Sequence, residues 1–469
     1  MEMYDVAVLG GGPGGYVAAI RGGQLGAKVC VVEEASLGGT CLNRGCIPSK
    51  AFYESASRVL AVRNGAEFGI RAAFEGFDLG ACVARKNRVV GTLVGGVQKL
   101  LQGYGVDVVQ GRGTLTAADA VQVRTPDGAS RVVRARNVIV ATGSRPASLP
   151  GIQPDGVRIH TSDSIWDLET LPKRLAIVGG GVIGCELAYM FAAFGCRVTV
   201  IEALDRILAT EEKEASRTVH RSLEALGVEI RTGVKVAGAE AGSSEVSVAL
   251  EGGDRVLADC AVVAVGRVPA SEGIGLEDLG VETDERGRIR VNDEMETTVP
   301  GVYAVGDVVG QYLLAHVATS EALVAMHNSL GKKYWMDYSI VPYAVFTKPE
   351  VASVGAKEDE LKASGTPYKV GRFSFGASGK ALCMGEPEGF IKILSHEDTG
   401  RILGATIVGA HASDIVGEIA VAMRMEASPG DIVTTIHVHP TISEVILEAS
   451  EDTMGLSIHR MARRRREQG

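Results

Sequence analysis

Residues 4–9, Tyr-Asp-Val-Ala-Val-Leu, read as a short apolar strand. Gly10-Gly11-Gly12-Pro13-Gly14-Gly15 comes next, then a helical run over 16–25 stopped by Gly26, then a strand over 28–32 that closes on Glu33. Strand, G-x-G-x-x-G, helix, strand and acid in this order constrain the fold more than any other feature, because they describe a parallel βαβ unit. Gly10, Gly12 and Gly15 permit a tight turn and close backbone approach to a pyrophosphate. The helix N-terminus faces that pyrophosphate, and Glu33 can accept from a ribose hydroxyl. The pattern then recurs. Residues 175–178 form a strand, Gly179-Gly180-Gly181-Val182-Ile183-Gly184 a second turn, and a helix runs to Phe194 before Gly195 stops it. The strand 197–201 ends on Glu202, which lies 23 residues after Gly179, the interval that separates Glu33 from Gly10. The duplication predicts two dinucleotide sites.

Glu202 also bears on which dinucleotide binds the second site. A carboxylate there suits a ribose 2′-hydroxyl and repels a 2′-phosphate, and no base follows until Arg206; NAD is expected over NADP. Residues 261–269 repeat the pattern of 138–146, so the duplication extends past the two turns. A strand over 137–146 runs through Thr142, Gly143 and Ser144, small residues that let the chain pass close to a cofactor. Residues 301–307 form a further strand ending in Gly306-Asp307, where Asp307 can accept from a polyol hydroxyl.

Between the two units lies Gly38-Gly39-Thr40-Cys41-Leu42-Asn43-Arg44-Gly45-Cys46-Ile47-Pro48-Ser49-Lys50. Five residues of regular helix rise about 7.5 Å, and disulfide Cα atoms are rarely more than ~7 Å apart. Cys41 and Cys46 therefore either pair across an irregular backbone, for which Gly45 and Pro48 are suited, or remain two buried thiols. Zinc is not expected, since no second cysteine pair and no nearby histidine complete a ligand set. The other six cysteines, Cys30, Cys82, Cys185, Cys196, Cys260 and Cys383, stand singly and read as small buried hydrophobes.

A length of 469 residues suits roughly three domains, and 46% hydrophobic against 22% charged residues describes a globular chain. The net charge of −9 argues against a nucleic-acid partner. One thiol pair among sparse cysteines suits a reducing compartment. No targeting segment or membrane span is apparent, so a cytoplasmic protein with no membrane partner is expected.

From residue 340 the pattern becomes α+β with no phosphate loop. Within it, Ile436-His437-Val438-His439-Pro440-Thr441-Ile442-Ser443-Glu444 stands out. His439 is the acid/base candidate and Glu444 the group that could orient it. Alternation puts His437 and His439 on opposite faces of an extended segment. The end of the chain, 460–469, holds five arginines and reads as a solvated tail.

Taken together, the cysteine stretch, the two glycine turns, Ala141-Thr-Gly-Ser144, Gly306-Asp307 and His439-Pro440-Thr-x-Ser-Glu444 resemble, in this order, the pyridine nucleotide–disulfide oxidoreductases. The resemblance covers essentially the whole chain. It implies an α/β fold of two Rossmann-like dinucleotide-binding domains, for FAD and NAD, plus a C-terminal α+β dimerisation domain. The expected boundaries are 1–145 with 270–339 for FAD, 146–269 for NAD and 340–469 for the dimerisation domain.

The resemblance also implies roles. Cys46 would face the flavin and Cys41 exchange with a dithiol substrate, dihydrolipoamide on a lipoyl carrier protein. Lys50 and Glu186 would pair near the flavin ring. Gly39, Thr40, Gly113, Thr142, Gly143, Ser144, Asp307 and Ala315 would line the FAD, with Val236 and Gly266 beside the NAD. His439, with Glu444, would act as base from the partner subunit of a homodimer. Arg44 stands where relatives often carry an apolar residue. The last cysteine, Cys383, leaves no C-terminal thiol pair of the kind some relatives use. A redox-silent flavin-binding subunit is the reading from a different class.

Overall fold

The computed structural model describes residues 3–459; the arginine-rich end falls outside them. The first sheet is built on β1 (Met3–Leu9), which pairs in parallel with β2 (Val29–Glu33) on one side and with Ser130–Val140 on the other. Asp107–Gln110 extends the sheet beyond β2, and Val302–Ala304 pairs in parallel with Ser130–Val140. β2 is buried along its whole length, as expected of a parallel strand covered on both faces. The 11-residue strand Ser130–Val140 serves two purposes. Its second half joins the parallel sheet, while its first half pairs antiparallel with Ala120–Arg124, which in turn pairs with Arg112–Ala117.

Helix α1 (Pro13–Gln24) joins β1 to β2 and packs against Ala315–Ser329. After β2 come α2 (Gly39–Arg44) and α3 (Cys46–Arg63). The irregular backbone anticipated between the cysteines is present. Gly45, at φ −133° and ψ −107°, breaks what would otherwise be one helix. Pro48 is tolerated because it lies in the first turn of α3, where an N–H has no intrahelical partner.

The second sheet is all parallel, in the order Glu229–Arg231, Arg197–Ile201, Arg174–Val178, Cys260–Val263, Ile159–Thr161. Its first crossover helix, Val182–Phe194, is apolar all round except for Glu186 and is buried from Gly184 to Phe194. Its surroundings explain this composition: it lies between its own sheet and α3, with Tyr189 against Tyr53 and Phe194 against Phe52. A two-stranded ribbon, Ser144–Pro146 with Arg267–Pro269, links the segments entering and leaving this unit.

The C-terminal region carries a five-stranded antiparallel sheet, from Tyr343–Val345 through Glu350–Gly355, Ile402–Gly409 and Phe390–His396 to Tyr368–Ser374. Helices Ala412–Arg424 and Glu444–Thr453 pack on it. An ion-pair cluster joins this sheet to the second unit. Lys392 Nζ lies 2.8 Å from carboxylate oxygens of both Glu212 and Glu358, Lys357 pairs with Glu211 at 3.2 Å, and Arg372 pairs with Glu214. The Lys362 and Lys392 ammonium groups hold the Glu358 carboxyl down to about 2.

Lys392→Met leaves the nearly buried Glu212 carboxylate facing Glu358 without a cation, and costs about 3 kcal/mol, to be read as a lower urea midpoint. Because folding depresses the Glu358 carboxyl, its contribution is complete above the unfolded value of ~4.3 and is lost as the pH falls towards about 2.

Candidate active site

The two glycine turns adopt the same geometry. Gly10 has φ +99° and a Cβ there would lie 2.3 Å from the Ala141 carbonyl oxygen; Gly179 has φ +108° and a Cβ would lie 2.5 Å from that of Ala264. Gly15 and Gly184 sit behind the turns, where a Cβ would meet the carbonyl oxygens of Gly10 and Gly179 at 1.8 and 1.9 Å. These four glycines are required by the chain's own packing. The middle ones differ. A Cβ on Gly181 would meet no protein atom within 4 Å, and one on Gly12 would come no nearer than 3.8 Å. Open space in front of two tight turns is a cradle that a side chain would fill and a pyrophosphate can occupy. Gly12 and Gly181 are also the N-caps of α1 and Val182–Phe194, and neither makes a side-chain cap bond. The first-turn N–H groups and the positive helix ends therefore face that space.

Each acid holds its turn. Glu33 accepts from the N–H groups of Gly11 and Ala35 at 2.6 and 2.7 Å, and Glu202 accepts from those of Gly180 and Leu204 at 2.6 and 2.8 Å. Each carboxylate oxygen keeps a free lone pair for a ribose hydroxyl. Both cradles open on one cavity of about 2150 Å³, well above the ~300–1,000 Å³ of a pocket for a single small ligand. Its wall includes Gly39, Thr40, Cys41, Cys46, Lys50, Gly113, Thr142, Gly143, Ser144, Ile183, Glu186, Val236, Gly266, Asp307 and Ala315. The Thr142 hydroxyl is buried in this wall with no protein partner, as expected of a group whose partner is a ligand. Open cradles, uncapped helices, strand-end acids and an orphaned hydroxyl fit two dinucleotides.

Cys41 lies on α2, and Cys46 is the first residue of α3. The two are free thiols in hydrogen-bond contact. The Cys41 thiol donates to Cys46, which lowers Cys46 to about 7, and the Lys50 ammonium lowers it further against the opposing effect of burial. The same shared proton, together with burial, raises Cys41. The pair thus holds one thiolate near neutral pH. Lys50 Nζ is 2.9 and 3.1 Å from the two Glu186 oxygens and 4.0 Å from the centre of the Phe346 ring.

On the other side of the cavity, the Ser144 hydroxyl donates to Asp307 at 2.5 Å and accepts from Arg267 Nε at 2.8 Å. Burial raises the Asp307 carboxyl, partly offset by Ser144 and Arg267. Arg267 also pairs with Asp163 at 2.6 Å. No local pattern singled out Arg267: it follows Gly266 on a strand whose role shows only once that strand pairs with Ser144–Pro146.

His439 and Glu444 are not in the cavity wall. His439 Nδ1 is 2.8 Å from Glu444 Oε1, and the imidazole is 78% exposed. A carboxylate can only accept, so Nδ1 carries the proton and Nε2 is left free. Burial raises the Glu444 carboxyl, but the Thr441 N–H and His439 outweigh it and hold it below the usual carboxylate range. His437 faces the other way, nearly buried against Glu418 at 2.9 Å, as the alternation of faces anticipates. Ile436 and Val438, beside His439, are 96% and 74% exposed. One expectation is corrected: five of the six single cysteines are buried, but Cys383 is exposed, because it ends the short surface helix Gly379–Cys383.

Residues 4–322 match the family described as pyridine nucleotide-disulphide oxidoreductase, and residues 341–450 match its dimerisation domain. The chain belongs to this family, whose members work with FAD and a pyridine nucleotide. It is 42% identical over 456 residues to the dihydrolipoyl dehydrogenase of Chlorobaculum tepidum, spanning 96% of this chain and 97% of that protein. It is 42% identical over 470 residues to the dihydrolipoyl dehydrogenase of Bacillus subtilis, spanning 97% and 99%. Among solved structures it is similar to LpdA from Mycobacterium tuberculosis, with a TM-score of 0.91, 29% identity and 96% and 99% of the two chains covered. The HOCl-induced flavoprotein disulfide reductase RclA from Escherichia coli, as its Cu(II) complex, gives a TM-score of 0.87, 26% identity and 96% and 99% coverage. Among the described residues no helix is long and apolar enough to cross a membrane.

Gly181→Ala adds a methyl group where the protein has room for it. It should therefore leave stability unchanged and weaken pyridine-nucleotide binding at least tenfold by titration; unchanged affinity would remove the second cradle from the nucleotide path. In the reduced protein, the thiolate ultraviolet absorbance should titrate near pH 7, not at the ~8.5 of a free cysteine, and Cys46→Ser should abolish that transition.

Proposed function

We propose that this chain is a dihydrolipoyl dehydrogenase, oxidising dihydrolipoamide on a lipoyl carrier protein with NAD⁺ as acceptor. The observation that carries the reading is the thiol pair at a helix break, in the wall of a cavity that opens onto two dinucleotide cradles. FAD and NAD supply the hydride chemistry when bound. The first cradle, with Glu33, Thr142, Ser144, Asp307 and Ala315, would hold FAD, and the second, with Glu202, Val236 and Gly266, would hold NAD.

The chain's own part is thiol–disulfide exchange and proton management. In the oxidised enzyme a substrate thiolate attacks the Cys41 sulfur and Cys46 leaves as a thiolate. The lowered Cys46 makes it the better leaving group, which supports attack at Cys41. The second substrate thiolate then attacks the substrate sulfur of the mixed disulfide and breaks its bond to Cys41, so that a substrate disulfide forms and the reduced Cys41–Cys46 pair remains. Two protons leave the substrate thiols; His439 Nε2 is the group suited to take one, its ring oriented by Glu444, and the other rests on the Cys41–Cys46 pair, leaving Cys46 the thiolate. Lys50, close to Cys46, favours the thiolate.

The reading places His439 in the site of a second copy. His439 stands exposed beside the bare Ile436 and Val438 side chains, in the region matching the family's dimerisation domain and away from the cavity of its own chain. A homodimer with two composite sites follows. Sparse cysteines with a single working pair support a reducing, cytoplasmic setting.

Cys46→Ser and His439→Gln should each lower NAD-linked dihydrolipoamide oxidation, the latter by about 10²–10⁴-fold. Mixed dimers of the two variants should regain activity, because one of the two sites then has both cysteines and a His439 from the other chain. Two inactive parents that stay inactive when mixed would show that the base does not cross the interface. Turnover by Cys46→Ser at the wild-type rate would end the proposal.

A further inference from the structure

The break between the two cysteine-bearing helices leaves a hydrogen-bonding gap. In an uninterrupted helix the Arg44 carbonyl would accept from the N–H of the residue four positions on, but that residue is Pro48, which has none. The donor that reaches this carbonyl comes from the second unit. Trp166 Nε1 donates to Arg44 O at 2.8 Å and shares the same N–H with Ser162 O, also at 2.8 Å.

The indole is held in place for this. Trp166 is 3% exposed, and its ring meets that of Phe52 on α3 edge-on, with centroids 5.4 Å apart. Its own carbonyl accepts from Lys86 at 3.2 Å, and Lys86 is itself buried and paired with Asp167 at 2.5 Å. Three residues earlier, Asp163 is bound to Arg267, which reaches Ser144 and through it Asp307. The segment is pinned at both ends, with one N–H directed at the peptide that separates the two thiols.

We propose that Trp166 is a positioning residue for the thiol pair. Its N–H fixes the orientation of the Arg44–Gly45 peptide and so the approach of Cys46 to Cys41 on disulfide closure. The proposal rests on the reading of Cys41 and Cys46 as the redox pair. A disulfide accepts a narrow range of Cα separations, whereas two thiols accept a wide one. Freeing the Arg44–Gly45 peptide therefore penalises the disulfide more than the dithiol, and the oxidised enzyme becomes easier to reduce.

The test compares the flavin-loaded wild type with Trp166→Phe and with protein carrying the benzothienyl isostere of tryptophan at position 166, in which sulfur replaces N–H at nearly constant shape. Each is equilibrated with oxidised and reduced dithiothreitol, so that one disulfide forms as another breaks and no electrons are gained or lost overall. Trapped dithiol and disulfide are then counted. In both variants the equilibrium should move about tenfold towards the dithiol, which is about 30 mV for a two-electron couple. Flavin bleaching by NADH, measured after both thiols are alkylated, should keep its wild-type rate.

An unchanged equilibrium in the isostere protein would overturn the proposal. A bleaching rate that falls with the equilibrium would also overturn it, by assigning Trp166 to general packing. If Trp166→Phe fails to fold, the isostere decides alone. A wild type that forms no Cys41–Cys46 disulfide would overturn the redox reading itself, a separate outcome.

Discussion

The carboxylate of Glu186 is where the parts of this protein meet. It lies on the buried helix of the second unit and its side chain is only 8% exposed. It accepts from Ser49 Oγ at 2.9 Å and Lys50 Nζ at 2.9 and 3.1 Å, both on α3, and from the Phe346 N–H at 3.1 Å, just past the first strand of the C-terminal sheet. A buried carboxylate is costly unless its lone pairs are filled, and here two other regions of the chain fill them. The arrangement is mutually dependent, since any region that moved away would leave a charge unpaired. Lys50 lies four residues from Cys46, so the charge that stabilises the thiolate is fixed by the same contact that holds the units together.

Around this point one device is used twice. The same turn, the same uncapped helix and the same strand-end carboxylate build each cradle, and Glu33 and Glu202 accept from matching backbone donors. The units diverge beyond the acid. After Glu33 the chain enters two short-spaced helices bearing the thiols, whereas after Glu202 it runs through Glu211 and Glu212 into contacts with the C-terminal sheet. Duplication thus supplies two cradles, and divergence of the segment after the acid supplies the thiol pair to one and a structural anchor to the other.

Local features were legible without the structure because their causes are local. A glycine whose Cβ would strike a carbonyl oxygen five residues away, as at Gly15 and Gly184, leaves its mark within one motif. The irregular backbone between Cys41 and Cys46 was legible for the same reason, since Gly45 and Pro48 are what break the helix. Cys383 is exposed against the local expectation because burial depends on what packs over a residue, and nothing nearby in the chain states that. Arg267 and Trp166 carry no such local mark, since their partners lie more than 100 residues away and ordinary side chains carry no signature of such a partner.

The sequence by itself therefore determined the two glycine-turn units, the spaced thiol pair between them and the strand-end carboxylates Glu33 and Glu202. Each arises from steric or electrostatic requirements within a few dozen residues. Only the tertiary structure decided that both cradles share one cavity, that Glu186 collects donors from two distant regions, that the carbonyl Pro48 cannot serve is served by Trp166, and that His439 stands outside the cavity of its own chain. These depend on how distant segments close on one another, which is set by the packing of the whole and leaves no trace at any single position.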